Sequence, residues 1–221
     1  MTIKINLKIF IFIVFFYFTK QINIYYTIMI FAILHELGHL VAGMILGLKP
    51  TKLTLMPYGL SINFVSERDG VKTDTSISIV SVLTPSLSDT KREVIVSMAG
   101  PMINILIILI CLIFEIKSEL IIYSNIVLLL LNLIPIYPLD GGRIFKSILY
   151  LKYGIQKAEM YTNTVMNIIM VVLSLSGIII IILTKNIAIF FVLIYLWTII
   201  IIENKRYKFK IKFYKVLHNI T

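Results

Sequence analysis

The string HELGH occupies residues 35–39. His35 and His39 are four residues apart, so a helix places them on one face, one turn apart. Two imidazoles so placed can reach one metal ion. Glu36 is rotated away by one residue and can approach a water at that ion without being a ligand. A zinc ion with three protein ligands keeps a fourth position for water and lowers that water's pKa to about 7. Glu36 then takes the proton and hands it on to a leaving amine. A third ligand has to come from elsewhere, and Asp140 is the candidate. It lies in NLIPIYPLDGGRIF, residues 132–145, where Pro135 and Pro138 interrupt a helix and Gly141 and Gly142 loosen the residues after them. Taken alone, Asp140 also reads as a helix N-cap just inside the membrane interface.

The elements that carry these residues follow from composition. Apolar types make up 59% of the 221 residues and charged types 14%, with a mean hydropathy of +0.96. Soluble domains are nearer 45–50% apolar and about 25% charged, so this chain cannot cover a water-facing surface. With 10 glycines, 6 prolines and one cysteine, disorder, collagen and a disulfide scaffold are excluded. The reading is an all-α polytopic membrane protein. A span needs about 20 mostly apolar residues, and six segments qualify: Asn6–Thr19, Ile22–Leu48, Val94–Ile116, Leu120–Leu133 with an irregular continuation to about Tyr150, Asn163–Leu183 and Ile187–Ile202. The first is short and N-terminal, as a signal peptide would be, but no small-residue cleavage site comes after it. It is read as a retained, shallow or tilted helix.

Lysine and arginine set the orientation. With a cytoplasmic N-terminus and six spans, 18 of the 21 fall inside; Lys20, Lys117 and Lys185 alone fall outside. The same spread accounts for the net charge of +10 without nucleic acid, for which no recognition motif is present. The tail KRYKFKIKFYK, residues 205–215, alternates cations with Tyr207, Phe209, Ile211 and Phe213. It reads as a juxtamembrane anchor for anionic lipid, with a substrate-docking strip as the alternative.

Lys52–Phe64, KLTLMPYGLSINF, alternates apolar and polar residues on both sides of Pro57-Tyr58-Gly59 and predicts a β-hairpin. Ser76–Thr84 is a further β-rich run. Cys111 lies in the third span as a small apolar packer. Ionisable groups at bilayer depth are costly and usually functional. Here they are His35, Glu36, His39 and Asp140, whereas His218 sits in the tail and Glu159 is placed at a span end.

HELGH in one membrane helix and PLDGG in a later one, with Ala99-Gly100-Pro101-Met102-Ile103-Asn104 between them, resemble the site-2 protease family of intramembrane zinc metalloproteases over residues 22–150. The resemblance implies one catalytic Zn2+ with His35, His39 and Asp140 as ligands and Glu36 as base. It implies Asn132, and less directly Asn104, as substrate-positioning residues near the metal. Asn104 can equally serve as a bond between helices, and Gly100 as a close-packing residue. The hairpin is similar to the family's membrane-associated hairpin, which holds an extended substrate by strand addition. KPTKLTLMPYGLSINF, residues 49–64, is similar to the sporulation branch. That branch implies the sigma factor precursor pro-sigma-K as substrate, small inhibitory membrane-protein partners and the membrane around the forespore. The expected organisation is a protease domain over 1–204 and a basic cytoplasmic tail over 205–221, with no CBS or PDZ domain. The rival readings are a membrane zinc-binding transporter, which needs a polar path through several helices, and an inactive protease-like scaffold.

Overall fold

The computed structural model describes residues 2–5, 7–18, 20–56, 59–65, 87–185 and 188–218. The β-rich run at 76–84 and two residues of the hairpin turn, Pro57 and Tyr58, lie outside the described residues. The elements are β1 (Thr2–Ile5), α1 (Lys8–Phe18), α2 (Ile22–Ile45), β2 (Lys49–Met56), β3 (Gly59–Val65), α3 (Leu87–Ile113), α4 (Glu119–Leu133), α5 (Asp140–Tyr153), α6 (Ile155–Thr184) and α7 (Ala188–His218). Three of the described helical stretches are long and apolar enough to cross a membrane: Ile22–Ile45, Ser88–Ile113 and Ile155–Leu183. α4 is apolar but shorter. The 11 residues of α1 rise about 17 Å, roughly half of a hydrocarbon core. The chain is a mostly helical membrane protein.

Two compact units partition it: residues 1–81 with 91–133, and residues 82–90 with 134–221. In the first, α2 is built inside out relative to a soluble helix. Tyr25, Met29, Ala32, His35, Gly38, His39 and Gly43 are buried, a stripe with helical period. Ile30, Leu34, Leu37 and Val41 face outward. α3 obeys the same rule, with Ser97, Asn104 and Cys111 inside and Met98, Met102, Leu106 and Leu109 outside. Lipid tails reward an apolar exterior, so small and polar residues are left for the helix contacts. Gly38 shows how close those contacts are: a Cβ there would stand 2.7 Å from Ile103 Cγ1 and 2.9 Å from the Ala99 carbonyl. α1 and α2 meet through Phe16 stacked on Tyr25, ring centroids 4.8 Å apart.

The predicted hairpin strands are present as β2 and β3, antiparallel from Lys49↔Val65 to Met56↔Gly59, with an irregularity between Pro50 and Lys52. A third strand was not expected. β1 pairs parallel with β2, Thr2↔Lys52 through Ile5↔Leu55, in a sheet of order β1-β2-β3. Four residues, TIKI, are too few to show a period, and only their partner makes them a strand.

In the second unit the stretch after Leu133 is more regular than its prolines and glycines suggest. The chain turns at 134–139, with Leu139 N–H donating to the Ile136 carbonyl at 2.8 Å and a cis bond at Tyr137–Pro138. α5 then begins at Asp140. Gly142 permits the turn to fold onto the helix start, because a Cβ there would collide with the backbone of Ile136 and Tyr137. Ile136, Met166, Met170, Leu196 and Ile200 form the core of this unit. α6 begins eight residues before the expected span, and α7 continues through the basic tail. The tail is therefore helical rather than an alternating strip, and Lys210 reaches inward to Glu159 at 2.6 Å. Glu159 also takes Lys146 at 2.7 Å and is buried, so one carboxylate ties α5, α6 and α7 together.

Asn167 and Asn204 exchange two amide hydrogen bonds between α6 and α7, 3.1 and 2.9 Å long. Asn204→Leu removes both and should lower stability by about 0.6–2 kcal/mol, read as an earlier thermal or SDS unfolding transition in detergent with helix content unchanged.

Candidate metal centre

The second and third turns from the C-terminal end of α2 carry His39 and His35. Both rings are buried, at 2% and 4% exposure. Each is gripped at Nδ1. His35 Nδ1 lies 2.7 Å from Asn104 Oδ1, and His39 Nδ1 lies 2.7 Å from the Val96 carbonyl oxygen. A carbonyl oxygen cannot donate, so His39 Nδ1 carries the hydrogen. The Gly100 N–H also approaches the same nitrogen at 3.3 Å, but the shorter contact, to an oxygen that can only accept, decides where the hydrogen sits. Pro101, inside α3, has no N–H for the Ser97 carbonyl, so the helix ladder is already interrupted beside the Val96 carbonyl.

With Nδ1 protonated on a neutral ring, Nε2 holds the lone pair. The two Nε2 atoms lie 3.2 Å apart, with the rings edge to face. Two lone pairs at that spacing repel unless a cation or a proton lies between them. Two nitrogens bound to one tetrahedral zinc at 2.0–2.1 Å would be about 3.3 Å apart. The donor set and its spacing fit such an ion. Metal-ligating histidines characteristically donate the other ring N–H to a carbonyl or similar acceptor, as both do here.

α3 supplies the wall as well as the acceptors. A Cβ on Gly100 would stand 2.6 Å from His35 Nε2 and closer still to the His39 ring. Gly100 is thus where the backbone comes up against both candidate ligand atoms, a role beyond the close packing expected of it from sequence. Asn104 is fully buried and faces His35. Glu36 is half-buried on the flank of the histidine stripe, and Asn132 is half-buried in the last turn of α4.

Asp140, in the second unit, is the first residue of α5 and 6% exposed. The N-cap position belongs to Leu139, with no side-chain cap bond, so the N-cap alternative does not describe Asp140. A carboxylate in the first helical turn is stabilised by the helix dipole, and Arg143 Nη1 approaches Oδ1 at 4.0 Å. His35, His39 and Asp140 make up a group that could hold a metal ion, one ligand atom from each.

Among the buried polar residues that the sequence did not single out are Asn125 and Glu159. Asn125 on α4 is fully buried, and its amide meets that of Asn104. Its depth in an apolar helix was the available signal. Glu159 carries no such signal, because its lysine partners are remote in the chain.

The model of peptidase family M50 matches residues 117–177, a segment that contains Asp140 but not the histidine pair. A zinc metalloprotease of Methanocaldococcus jannaschii is 31% identical over 136 residues, which are 57% of this chain and 34% of that protein. The chain thus spans about a third of the length of the curated relative it matches. The solved structure of a site-2 protease from the same organism superposes with a TM-score of 0.62 at 22% identity, covering 91% of this chain and 89% of the other. The chain has the site-2 protease fold.

Gly100→Ala should force both imidazoles aside. The expected result is a loss of zinc affinity of about tenfold or more, measured by chelator competition on the purified protein, with the helical circular dichroism spectrum retained.

Proposed function

We propose that this chain is an intramembrane zinc metalloendopeptidase of the site-2 type. His35, His39 and Asp140 are its metal ligands and Glu36 its catalytic base. The observation that carries the reading is the pair of Nε2 lone pairs held 3.2 Å apart by rings whose Nδ1 atoms are committed to acceptors on α3. When bound, zinc supplies Lewis acidity, which polarises a scissile carbonyl and brings water's pKa near 7. Glu36 takes the proton of the attacking water and delivers it to the amine that leaves as the peptide bond breaks. Buried surroundings strengthen each of these charge interactions.

A substrate helix hides its carbonyls in internal hydrogen bonds, so it must unwind before cleavage. β3 lies at the edge of the sheet, which supports pairing of the unwound strand along it. Asn132 is the residue proposed to position that strand or the developing oxyanion. The arrangement in the membrane is proposed to be six spans with both termini cytoplasmic, on the strength of the lysine and arginine bias. The substrate is a membrane-associated protein. The segment at 49–64 makes it pro-sigma-K by its similarity to stage IV sporulation protein FB, with small membrane-protein inhibitors as partners.

The transporter reading loses its footing in α6 and α7. Asn167 is paired with Asn204, Ser174 accepts from Trp197 and donates to the Met170 carbonyl, and Ser176 donates to the Leu173 carbonyl. These groups satisfy one another and their own helices.

The test is co-expression in bacteria with tagged pro-sigma-K. Wild type should give a shortened product that a chelator suppresses. Glu36→Gln should reduce cleavage by roughly a thousandfold or more while the purified variant keeps its zinc. Cleavage by Glu36→Gln would overturn the assignment of the base.

A further inference from the structure

We infer that Asn125, which lies outside the proposed ligand set, is a positioning residue that fixes the tautomer of His35 through Asn104. The inference rests on the metal-site reading above. Its basis is a chain of hydrogen bonds whose direction is set at its far end. The Ile121 carbonyl oxygen can only accept, and Asn125 Nδ2 donates to it at 2.9 Å. That turns Asn125 Oδ1 toward Asn104. Asn104 Nδ2 then faces two acceptors, Asn125 Oδ1 at 3.4 Å and the Asn125 backbone oxygen at 3.5 Å. Both bonds are long, but both have the same sign. They turn Asn104 Oδ1 to His35 Nδ1 at 2.7 Å, and an amide oxygen there requires the hydrogen on Nδ1.

Reversing the Asn104 amide would undo this. Nδ2 would donate to Nδ1, the ring hydrogen would move to Nε2, and Nε2 could no longer bind a metal. Oδ1 would meanwhile face two oxygens. Asn104 and Asn125 are both fully buried, where unmet polar groups are most costly. His39 does not share this dependence, because its acceptor is the Val96 backbone, which no side-chain substitution removes. The consequence is a residue on α4 whose loss is felt at one histidine and not the other.

The experiment uses the full-length chain in detergent, as wild type, Asn125→Leu, Asn125→Asp, Asn104→Leu and the double leucine variant. Zinc affinity is measured by chelator competition, and the ring tautomers of chelator-treated protein by 15N imidazole spectra. Asn125→Leu should bind zinc about tenfold more weakly and show Nε2–H character at His35 with His39 unchanged. Asn125→Asp keeps an acceptor for Asn104 although it loses the amide donor to the Ile121 carbonyl, so it should lose less affinity than Asn125→Leu and leave the His35 spectrum as in wild type. The double variant should be no weaker than Asn104→Leu alone, since residue 125 acts only through 104. Wild-type affinity and an unchanged His35 spectrum in Asn125→Leu, or additive losses in the double variant, would overturn the inference. If Asn125→Leu does not fold, Asn125→Ala removes the same acceptor and is read in the same way. Wild type without stoichiometric zinc would instead overturn the metal reading, and the metal-free spectra would still decide the tautomer.

Discussion

A carbonyl oxygen accepts hydrogen bonds and never donates them, and the first unit of this protein is organised by that asymmetry. The Val96 oxygen settles the hydrogen on His39. The amide oxygen of Asn104 settles the one on His35. With both hydrogens placed on Nδ1, the two Nε2 atoms are left converging at 3.2 Å. A single cation between them would meet both lone pairs at once. The glycine at 100 is needed for the same reason, because any side chain there would occupy the space in front of the nitrogens.

Lipid helps to maintain such precision. Water in a soluble site would offer each imidazole and amide an alternative partner. In a bilayer the alternative is an unmet polar group, which strengthens the preference for one set of bonds. The second unit uses the same logic for architecture rather than chemistry. Asn167 with Asn204, Ser174 with Trp197, and Glu159 with two lysines join helices whose outer faces are apolar. Small residues complete the scheme where backbones approach most closely, as at Gly38 and Gly142.

The candidate ligands were legible because histidine, glutamate and aspartate are costly in an apolar helix, and HELGH fixes its own geometry through the helical repeat. The β2–β3 pair was legible from its alternation. Less could be read where partners are distant in the chain. Asn104 looked like a substrate-positioning or inter-helix residue, yet it faces His35, because nothing local to residue 104 reports what lies 69 positions earlier. Glu159 looked like an interfacial charge, yet its lysines come from two other helices. The irregular stretch after Leu133 proved short, since the glycine expected to loosen it instead admits the 136–137 backbone against α5.

The parallel pairing of β1 with β2 imposes an order on synthesis. Thr2 must find Lys52, and α1 and α2 lie between them. At ribosomal speeds those roughly fifty positions take on the order of several seconds. During that interval the opening residues have no edge to join, although both intervening helices are already available to the membrane. The pairing of β1 is therefore completed only after the histidine-bearing helix has been synthesised, which makes this short parallel contact a late one in the growth of the chain.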